Sequence, residues 1–167
     1  LDGKIALVTG ASRGLGQAMA VGLAEAGANI AGLDRTPDCD ETCDQVQAAG
    51  RRFLQISADL QTATLQDLAA IIKQVEGQLG AVDILINNAG IIRRTPALEF
   101  SEEDWDAVLQ INLKAAFFLA QATARSMVER SCGKIINVAS MLSFQGGVFV
   151  PSYTAAKSAI MGITRAL

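Results

Sequence analysis

The stretch KIALVTGASRGLG, Lys4–Gly16, decides the fold expected for this chain. Its first part, Lys4 to Thr9, is a short apolar run that fits a strand buried on both faces. Glycines then follow at the spacing G-x-x-x-G-x-G, and apolar residues recur behind them every three or four positions, which indicates a helix. A strand, a glycine turn and a helix in this order are typical of a turn that holds a diphosphate.

Each glycine of this turn has its own expected task. Gly10 permits a tight turn, Gly14 lets the backbone approach a ligand, and Gly16 lets the helix pack closely. The helix N-terminus adds free N–H groups and a favourable dipole for a diphosphate. The predicted buried stripe of the helix is Leu15, Ala18, Met19, Gly22, Leu23 and Ala26. The candidate ligand-binding residues of the turn are Gly10, Ser12, Arg13, Gly14, Leu15 and Gly16.

Strands and helices alternate along the rest of the chain. Apolar runs predict strands at 4–9, 29–34, 52–57, 82–86 and 134–139, with helices at 38–50 and 62–79, behind Ser101 and from Pro151. This alternation predicts an α/β protein with a doubly wound parallel sheet, the Rossmann fold, in three layers. Without repeats or linkers, residues 1–167 are interpreted as one NAD(P)-binding domain.

A carboxylate, Asp34, ends the second predicted strand. An acid at this place can accept both ribose hydroxyls of an adenosine and repels a 2′-phosphate. The alternative is a strand-terminal aspartate that only starts a turn. Arg13 and Arg35 complicate the choice, since either could neutralise a 2′-phosphate. NAD is therefore the expected cofactor and NADP the less favoured one.

Polar residues also follow the third and fourth predicted strands. Asp59 is expected either to contact the adenine edge or only to cap a turn. Asn87-Asn-Ala-Gly90 predicts an ordered backbone and close approach of a cofactor, with a plain turn as the alternative. The carboxyl ends of parallel strands share one edge, so these segments should meet the glycine turn. They add Asp59, Leu60, Asn87, Ala89 and Gly90 to the candidate cofactor residues.

The stretch from Ser140 to Lys157 predicts the chemistry. Tyr153 and Lys157 are four residues apart on one helix and therefore share a face. An ammonium beside a phenol favours the phenolate, which makes the pair usable for proton transfer. Ser140, at the end of the last strand, could hold a carbonyl or alcohol oxygen. Asn112 lies within an apolar stripe of the helix behind Ser101. The stripe consists of Trp105, Val108, Leu109, Leu113, Ala116, Phe117 and Ala120. Asn112 is expected either to order water near the site or to connect two elements as a buried, hydrogen-bonded amide.

Composition excludes several kinds of partner. The net charge is −3 and no basic patch occurs, so nucleic acid and anionic membranes are not expected partners. The apolar runs are too short to span a membrane and no signal peptide is recognised, which predicts a cytoplasmic protein. The three cysteines are expected to be free thiols, and without histidine no metal site is expected.

Taken together, these motifs resemble the short-chain dehydrogenase/reductase family along the entire chain. The resemblance rests on Thr9-Gly-x-x-x-Gly14-x-Gly16, Asn87-Asn-Ala-Gly90, Asn112, Ser140 and Tyr153-x-x-x-Lys157. It implies NAD(P)-dependent interconversion of an alcohol and a ketone. It further implies that Tyr153 is the acid/base, that Ser140 positions the oxygen, and that Lys157 holds the nicotinamide ribose. Asn112 would hold a water in the proton relay.

Three further segments are similar to the sugar-acid branch of that family: residues 90–94, 99–105 and 139–147. The branch implies a small sugar-acid substrate, NAD and a homotetramer, which the apolar helix behind Tyr153 also favours. Arg93 or Arg94 could bind the carboxylate bidentately, or both are solvated loop charges. Gln145 is a candidate hydroxyl contact. Ser140 and Tyr153 complete the candidate substrate set.

Relatives of this kind extend past the position that corresponds to Leu167, so the C-terminal part of a longer catalytic domain is expected to be missing. The isolated 167-residue chain is expected to be unstable and inactive, because its sheet would expose an edge. Two alternatives stay open. One is an NADPH-dependent 3-oxoacyl-carrier-protein reductase, which Asp34 and the acidic charge disfavour. The other is a non-catalytic nucleotide-binding module, although Tyr153 and Lys157 are both present.

Overall fold

A five-stranded parallel sheet forms the centre of the computed structural model, which describes residues 1–167. The strands are β1 Ile5–Thr9, β2 Asn29–Asp34, β3 Phe53–Ser57, β4 Ile84–Asn87 and β5 Lys134–Asn137. Their spatial order is β3-β2-β1-β4-β5, with β5 at one edge. The chain leaves β1 toward β2 and β3 and returns to place β4 on the other side. This reversal opens a crevice at the carboxyl ends of β1 and β4.

Helices cover both faces of the sheet, which confirms the doubly wound α/β fold in three layers. They are α1 Gly14–Glu25, α2 Asp40–Ala48, α3 Leu65–Gln78, α4 Glu102–Leu109, α5 Ala116–Glu129 and α6 Pro151–Ala166. α1 and α2 contribute to one core and α3 and α5 to the other. None of these helices is long and apolar enough to cross a membrane.

The buried stripe predicted for α1 is wrong. Gly16, Ala20 and Ala24 are the buried residues of this helix, whereas Leu15 is 72% exposed. The predicted stripe followed the large side chains, but the contact is so close that only glycine and alanine fit it. Small residues at four-residue spacing therefore form the packed face. For α3 the sequence favours one face of Leu65, Leu68, Ala69, Ile72 and Val75. The buried face is Leu68, Ile71, Ile72 and Val75, so this prediction is wrong for Leu65 and Ala69, which are exposed.

The helix behind Ser101 is interrupted. Ser101 caps its start, since its hydroxyl accepts a 3.1 Å hydrogen bond from the Asp104 backbone N–H. A π-helical segment, Gln110–Ala115, then separates α4 from α5. A π segment adds a residue per turn and changes which side chains face inward. Leu119 is buried in α5, while Trp105, predicted to be in the stripe, is 38% exposed in α4.

Candidate functional site

A cavity of about 390 Å³ lies at the carboxyl ends of the strands. The glycine turn after β1, the end of β2, residues 58–60 after β3 and residues 88–91 after β4 all line it. Of the candidate cofactor residues, those in its wall are Gly10, Ser12, Arg13, Leu15, Gly16, Asp34, Asp59, Leu60, Ala89 and Gly90. Gly14, Asn87, Tyr153 and Lys157 are not in that wall.

The three glycines of the turn have distinct surroundings. Gly10 has a φ of +69°, and a Cβ placed on it would lie 3.2 Å from the Cα of Ala89. Gly14 has a φ of +59°, and no other atom lies within 4 Å of its Cβ position. A Cβ on Gly16 would lie 1.9 Å from the carbonyl oxygen of Gly10. Gly16 therefore sets the close approach of α1, and Gly14 leaves an open backbone surface for a ligand.

Two strand ends are joined by Thr9 and Asn88. The buried Thr9 hydroxyl accepts hydrogen bonds of 2.9 Å from the backbone N–H groups of both Asn88 and Ala89. In return, the Asn88 amide donates to the carbonyl oxygen of Thr9 at 2.9 Å. These bonds hold the two walls of the crevice at a set distance. Asn88 is the second amide of the motif Asn87-Asn-Ala-Gly90. Its role in joining the two strand ends follows only from its contacts across the crevice.

The carboxylate of Asp34 is held from two sides. Its Oδ2 accepts hydrogen bonds from the backbone N–H of Ser12 at 3.1 Å and from the Ser12 hydroxyl at 2.7 Å. Its Oδ1 accepts one from the Arg35 backbone at 2.7 Å. Both Asp34 and Arg35 line the cavity, as does Arg13. The carboxylate is thus both a strand-end anchor and part of the cavity wall, and its contact with a ribose stays a prediction.

Asp59 caps a turn, which is one of its two expected tasks; the adenine contact stays a prediction. Its Oδ1 accepts a 2.9 Å hydrogen bond from the Gln61 backbone, which caps the turn. The residue also lines the cavity together with Leu60. Neither observation identifies a ligand by itself.

Asn87 lies behind the cavity wall. It is 5% exposed, and its amide nitrogen donates to the Ala116 carbonyl at 3.0 Å and to the Asn137 side chain at 2.9 Å. Its carbonyl oxygen Oδ1 is buried without a partner. These contacts join β4 to α5 and to β5.

Asn112 ties the π segment to the cavity rim. It is 1% exposed, its Oδ1 accepts a 2.8 Å hydrogen bond from the Ile91 backbone, and its Nδ2 donates 2.7 Å to the Ile91 carbonyl. A buried amide satisfied in this way matches the structural interpretation of the sequence pattern. Because Ile91 lines the cavity, Asn112 also holds that part of the wall in place.

Tyr153 and Lys157 lie on α6 and share a face. The Lys157 Nζ is 5.7 Å from the centre of the Tyr153 ring and donates a 2.6 Å hydrogen bond to the Val138 carbonyl. Lys157 is 4% exposed, and this burial lowers the pKa of its ammonium. Val138 in turn donates from its backbone N–H to the carbonyl of Asn87 at 3.0 Å. Two hydrogen bonds through Val138 therefore link the Lys157 ammonium to the end of β4, whose next residues line the cavity.

Ser140 follows β5 and starts a 3₁₀ turn, Met141–Ser143. Its hydroxyl accepts a 3.2 Å hydrogen bond from the Leu142 backbone, which leaves the hydroxyl hydrogen free to donate. Ser140 is partly buried, as is Tyr153. The serine and the tyrosine thus come from the two ends of one loop, residues 140–150.

The candidate substrate residues lie at the surface. Arg93 makes an ion pair with Asp104, with 2.9 Å between Nε and Oδ1. Arg94 is exposed and makes no ion pair, and Gln145 is exposed as well. The backbone N–H of Thr95 donates to the Phe149 carbonyl at 2.9 Å. This bond joins the arginine loop to the loop that carries Gln145.

Some residues of the cavity wall were not among the sequence candidates. They are Leu33, Arg35, Ala58, Asn88, Ile91 and Ile111. Most are apolar residues next to predicted ones, and their types carry no chemical signal. Ile111 lies in the π segment and lines the cavity.

The cysteines are free thiols, as expected. Burial, followed by the nearby carboxylate of Asp34, raises the pKa of Cys39 to about 11. This thiol therefore stays protonated at neutral pH and is a poor nucleophile.

The fit of a dinucleotide can be judged from the wall itself. The wall combines the backbone of Gly10, the close packing of Gly16 at the start of α1 and the carboxylate of Asp34, all at the reversal point of the sheet. Comparison with known proteins agrees with this arrangement. The sequence profile described as short chain dehydrogenase matches residues 4–167. The chain belongs to the short-chain dehydrogenase family. Members of this family bind a nicotinamide cofactor, and the wall of the Gly10 turn suits its diphosphate and ribose.

Among the relatives in this family are two bacterial enzymes named 2-dehydro-3-deoxy-D-gluconate 5-dehydrogenase. The chain is 55% identical to the one from Dickeya dadantii, covering 100% of this chain and 65% of that protein. It is 53% identical to the one from Escherichia coli, covering 99% of this chain and 64% of that protein. The chain thus spans about 65% of the length of these relatives.

A solved structure from Agrobacterium tumefaciens is similar as well. It is provisionally assigned as a 2-deoxy-D-gluconate 3-dehydrogenase and has bound NADP. It is 47% identical, its TM-score is 0.88, and the match covers 99% of this chain and 65% of that one. The bound NADP belongs to that protein and leaves open which of the two dinucleotides this chain prefers.

Proposed function

We propose that this protein transfers a hydride between NAD and a secondary alcohol or ketone of a sugar acid, of the 2-deoxy-D-gluconate or 2-dehydro-3-deoxy-D-gluconate type. The observation that carries the proposal is the Tyr153–Lys157 pair on α6, connected through Val138 to the end of β4, whose next residues line the cavity. The names of the relatives support the substrate class.

The proposed chemistry divides among a few side chains. The cofactor accepts or supplies the hydride. In the oxidation direction Tyr153 takes the proton of the substrate hydroxyl, and in the reduction direction it returns that proton to the carbonyl oxygen. The nearby Lys157 ammonium stabilises the phenolate, and the free hydrogen of the Ser140 hydroxyl can donate to the substrate oxygen.

Asn112 is proposed to act mainly by holding the cavity rim. Both polar atoms of its side chain are engaged by the Ile91 backbone, so one amide hydrogen remains to hold a water for the proton relay. An amide without these two hydrogen bonds could hold a relay water with more of its polar atoms than Asn112 can.

For the adenosine end we propose NAD as the preferred cofactor. The Asp34 carboxylate lines the cavity and would repel a 2′-phosphate. Arg13 and Arg35 also line it and make no ion pair, so they could bind such a phosphate. We therefore expect measurable activity with NADP at lower kcat/KM.

For the substrate carboxylate we propose Arg94, with Arg93 in support. Arg94 has no carboxylate partner, whereas Arg93 is already paired with Asp104. A free guanidinium can bind a carboxylate bidentately. Gln145, on the loop joined to the arginine loop through Thr95, is the proposed hydroxyl contact.

We also propose that the protein is a homotetramer. The outer side of α6 presents small residues such as Ala155 and Gly162 to solvent. A helix surface of this kind allows close helix packing between subunits. Light scattering coupled to size-exclusion chromatography measures the mass directly, and a monomeric mass would refute the tetramer.

The test of the function is a panel of substrates. Purified full-length protein is mixed with sugar acids, with neutral polyols of the same length, and with NAD or NADP, and reduced nicotinamide is followed by its absorbance. We expect turnover of a sugar acid with NAD. Turnover of a carrier-bound 3-oxoacyl group with NADPH, and of no sugar acid, would replace the proposal by the reductase alternative.

A further inference from the structure

Ser143 joins the two halves of the proposed catalytic centre. Its side chain is buried, and its hydroxyl donates a 2.8 Å hydrogen bond to the backbone carbonyl of Lys157 on α6. The same hydroxyl accepts a 3.2 Å hydrogen bond from the backbone N–H of Ser140. One oxygen atom therefore touches both the residue proposed to hold the substrate oxygen and the residue proposed to stabilise the phenolate.

The loop around Ser143 is folded tightly on itself. The Ser140 hydroxyl accepts from the Leu142 backbone, so Ser140 and Ser143 cap the 3₁₀ turn reciprocally. A Cβ on Gly147 would lie 2.5 Å from the Val150 side chain and 2.9 Å from the Leu142 side chain. The side chains of the loop thus pack against one another. The Ser143 hydroxyl connects this loop directly to α6 through its hydrogen bond to the Lys157 carbonyl.

We propose that Ser143 is a positioning residue that holds Ser140 in register with Tyr153 and Lys157 by bridging the turn after β5 to α6. The inference rests on the proposed function for its catalytic consequence. Ser143 does not contact the reacting atoms. Ser143 instead sets the distance and orientation between Ser140, Tyr153 and Lys157. Small displacements of such groups lower the catalytic rate strongly.

The matched control is Thr123. This residue is 1% exposed and its hydroxyl donates 2.8 Å to the Leu119 carbonyl within α5. Thr123→Val removes a buried hydroxyl of the same kind from a place that joins no site elements. Ser143→Ala removes the bridging one. Loss of stability should be comparable in the two variants, since each loses one buried hydrogen bond.

Two measurements on the purified protein separate positioning from plain stability. The first is kcat, which should fall by about tenfold to a hundredfold in Ser143→Ala, with little change in the Kd of NAD, and stay near wild type in Thr123→Val. The second is the rate of acetylation of Lys157 by acetic anhydride, with acetate as the leaving group, relative to exposed Lys73. It should rise about tenfold in Ser143→Ala only, because the loop no longer holds against the Lys157 backbone.

The outcomes decide both proposals separately. Unchanged kcat and unchanged Lys157 acetylation in Ser143→Ala would overturn the positioning proposal, and so would equal changes in Thr123→Val. If wild-type protein turns over no alcohol or ketone with either dinucleotide, the proposed function fails. The acetylation ratio then still decides whether Ser143 holds the turn against Lys157.

Discussion

The Lys157 ammonium nitrogen lies 5.7 Å from the centre of the Tyr153 ring. A hydrogen bond to Val138 fixes that ammonium at the end of β5, so the phenol and its cation are placed by the sheet as well as by the helix. Burial lowers the pKa of Lys157 because it removes water from the ammonium. The hydrogen bond to the Val138 carbonyl replaces part of that lost hydration.

Gly16→Ala tests the close contact behind the glycine turn. The new Cβ would lie 1.9 Å from the Gly10 carbonyl oxygen, so α1 must move away. We predict a loss of about 1–3 kcal/mol in the free energy of unfolding and weaker NAD binding. Urea denaturation and cofactor titration measure the two effects.

Gly22→Ala is the control on the same helix. No atom lies within 4 Å of its Cβ position, and Gly22 is exposed. Alanine should stabilise the helix by about 0.5–1 kcal/mol without affecting NAD binding. Equal destabilisation by the two substitutions would show that close packing at Gly16 is not the cause.

Asp34→Ala tests the choice of cofactor. Removing the carboxylate should lower kcat/KM for NAD by about tenfold to a hundredfold, because a hydrogen bond to a charged group is lost. The kcat/KM for NADP should stay the same or increase. Asp59→Ala, in the same cavity wall, should affect both cofactors alike, since an adenine contact is common to them. Unchanged selectivity in Asp34→Ala would remove the ribose assignment.

Arg94→Ala tests the carboxylate contact. We predict that KM for sugar acids rises about tenfold or more, while KM for neutral polyols changes little. Arg93→Ala should produce a smaller acid-specific effect, because its guanidinium is shared with Asp104. Equal effects of Arg94→Ala on acids and polyols would show that the arginine does not read the carboxylate.

Asp83 gives a prediction about pH. Burial alone would raise its pKa, but hydrogen bonds from the Ile5 backbone, Arg130 and Lys4 outweigh it and hold the pKa of Asp83 below its ordinary value. The folded pKa is thus below the unfolded one. The resulting stabilisation is complete above the unfolded value of about 3.9 and is lost as pH falls through the folded value.

We therefore predict that Asp83→Asn costs about 1–3 kcal/mol of unfolding free energy near neutral pH. The difference from wild type should shrink below about pH 4, where the wild-type carboxylate begins to be protonated. Urea denaturation at both pH values measures this. A difference that is independent of pH would mean that the charge of Asp83 is not what stabilises the sheet end.

The sequence predicted the fold well and the side-chain contacts less well. The ends of β1, β2 and β3 and the Pro151 start of α6 carry strong local signals, and the structure agrees with them. β4 ends one residue later than predicted, at Asn87, and β5 two residues earlier, at Asn137. The packed face of α1 was wrong because a close contact selects small side chains over large ones. The π segment at Asn112 has no sequence signature in a single chain, so neither it nor the place of Ile111 in the wall could be foreseen.

Contacts between residues far apart in the sequence could not be predicted either, because they depend on how the loops fold. The Arg93–Asp104 pair and the Ser143–Lys157 bond join residues whose proximity depends on the loops. Residue type alone allowed Arg93 and Arg94 to share one role. The structure distinguishes them by the presence of Asp104.

The central claim is that Tyr153 transfers the proton in a nicotinamide-dependent oxidation of a sugar acid. The most direct test is the initial rate of reduced-nicotinamide formation from NAD and a sugar acid, compared between wild type and Tyr153→Phe, with the Kd of NAD measured in both. We predict that the rate falls by about a hundredfold to ten-thousandfold while the Kd of NAD stays near wild type. A Tyr153→Phe variant that keeps the wild-type rate would contradict the account.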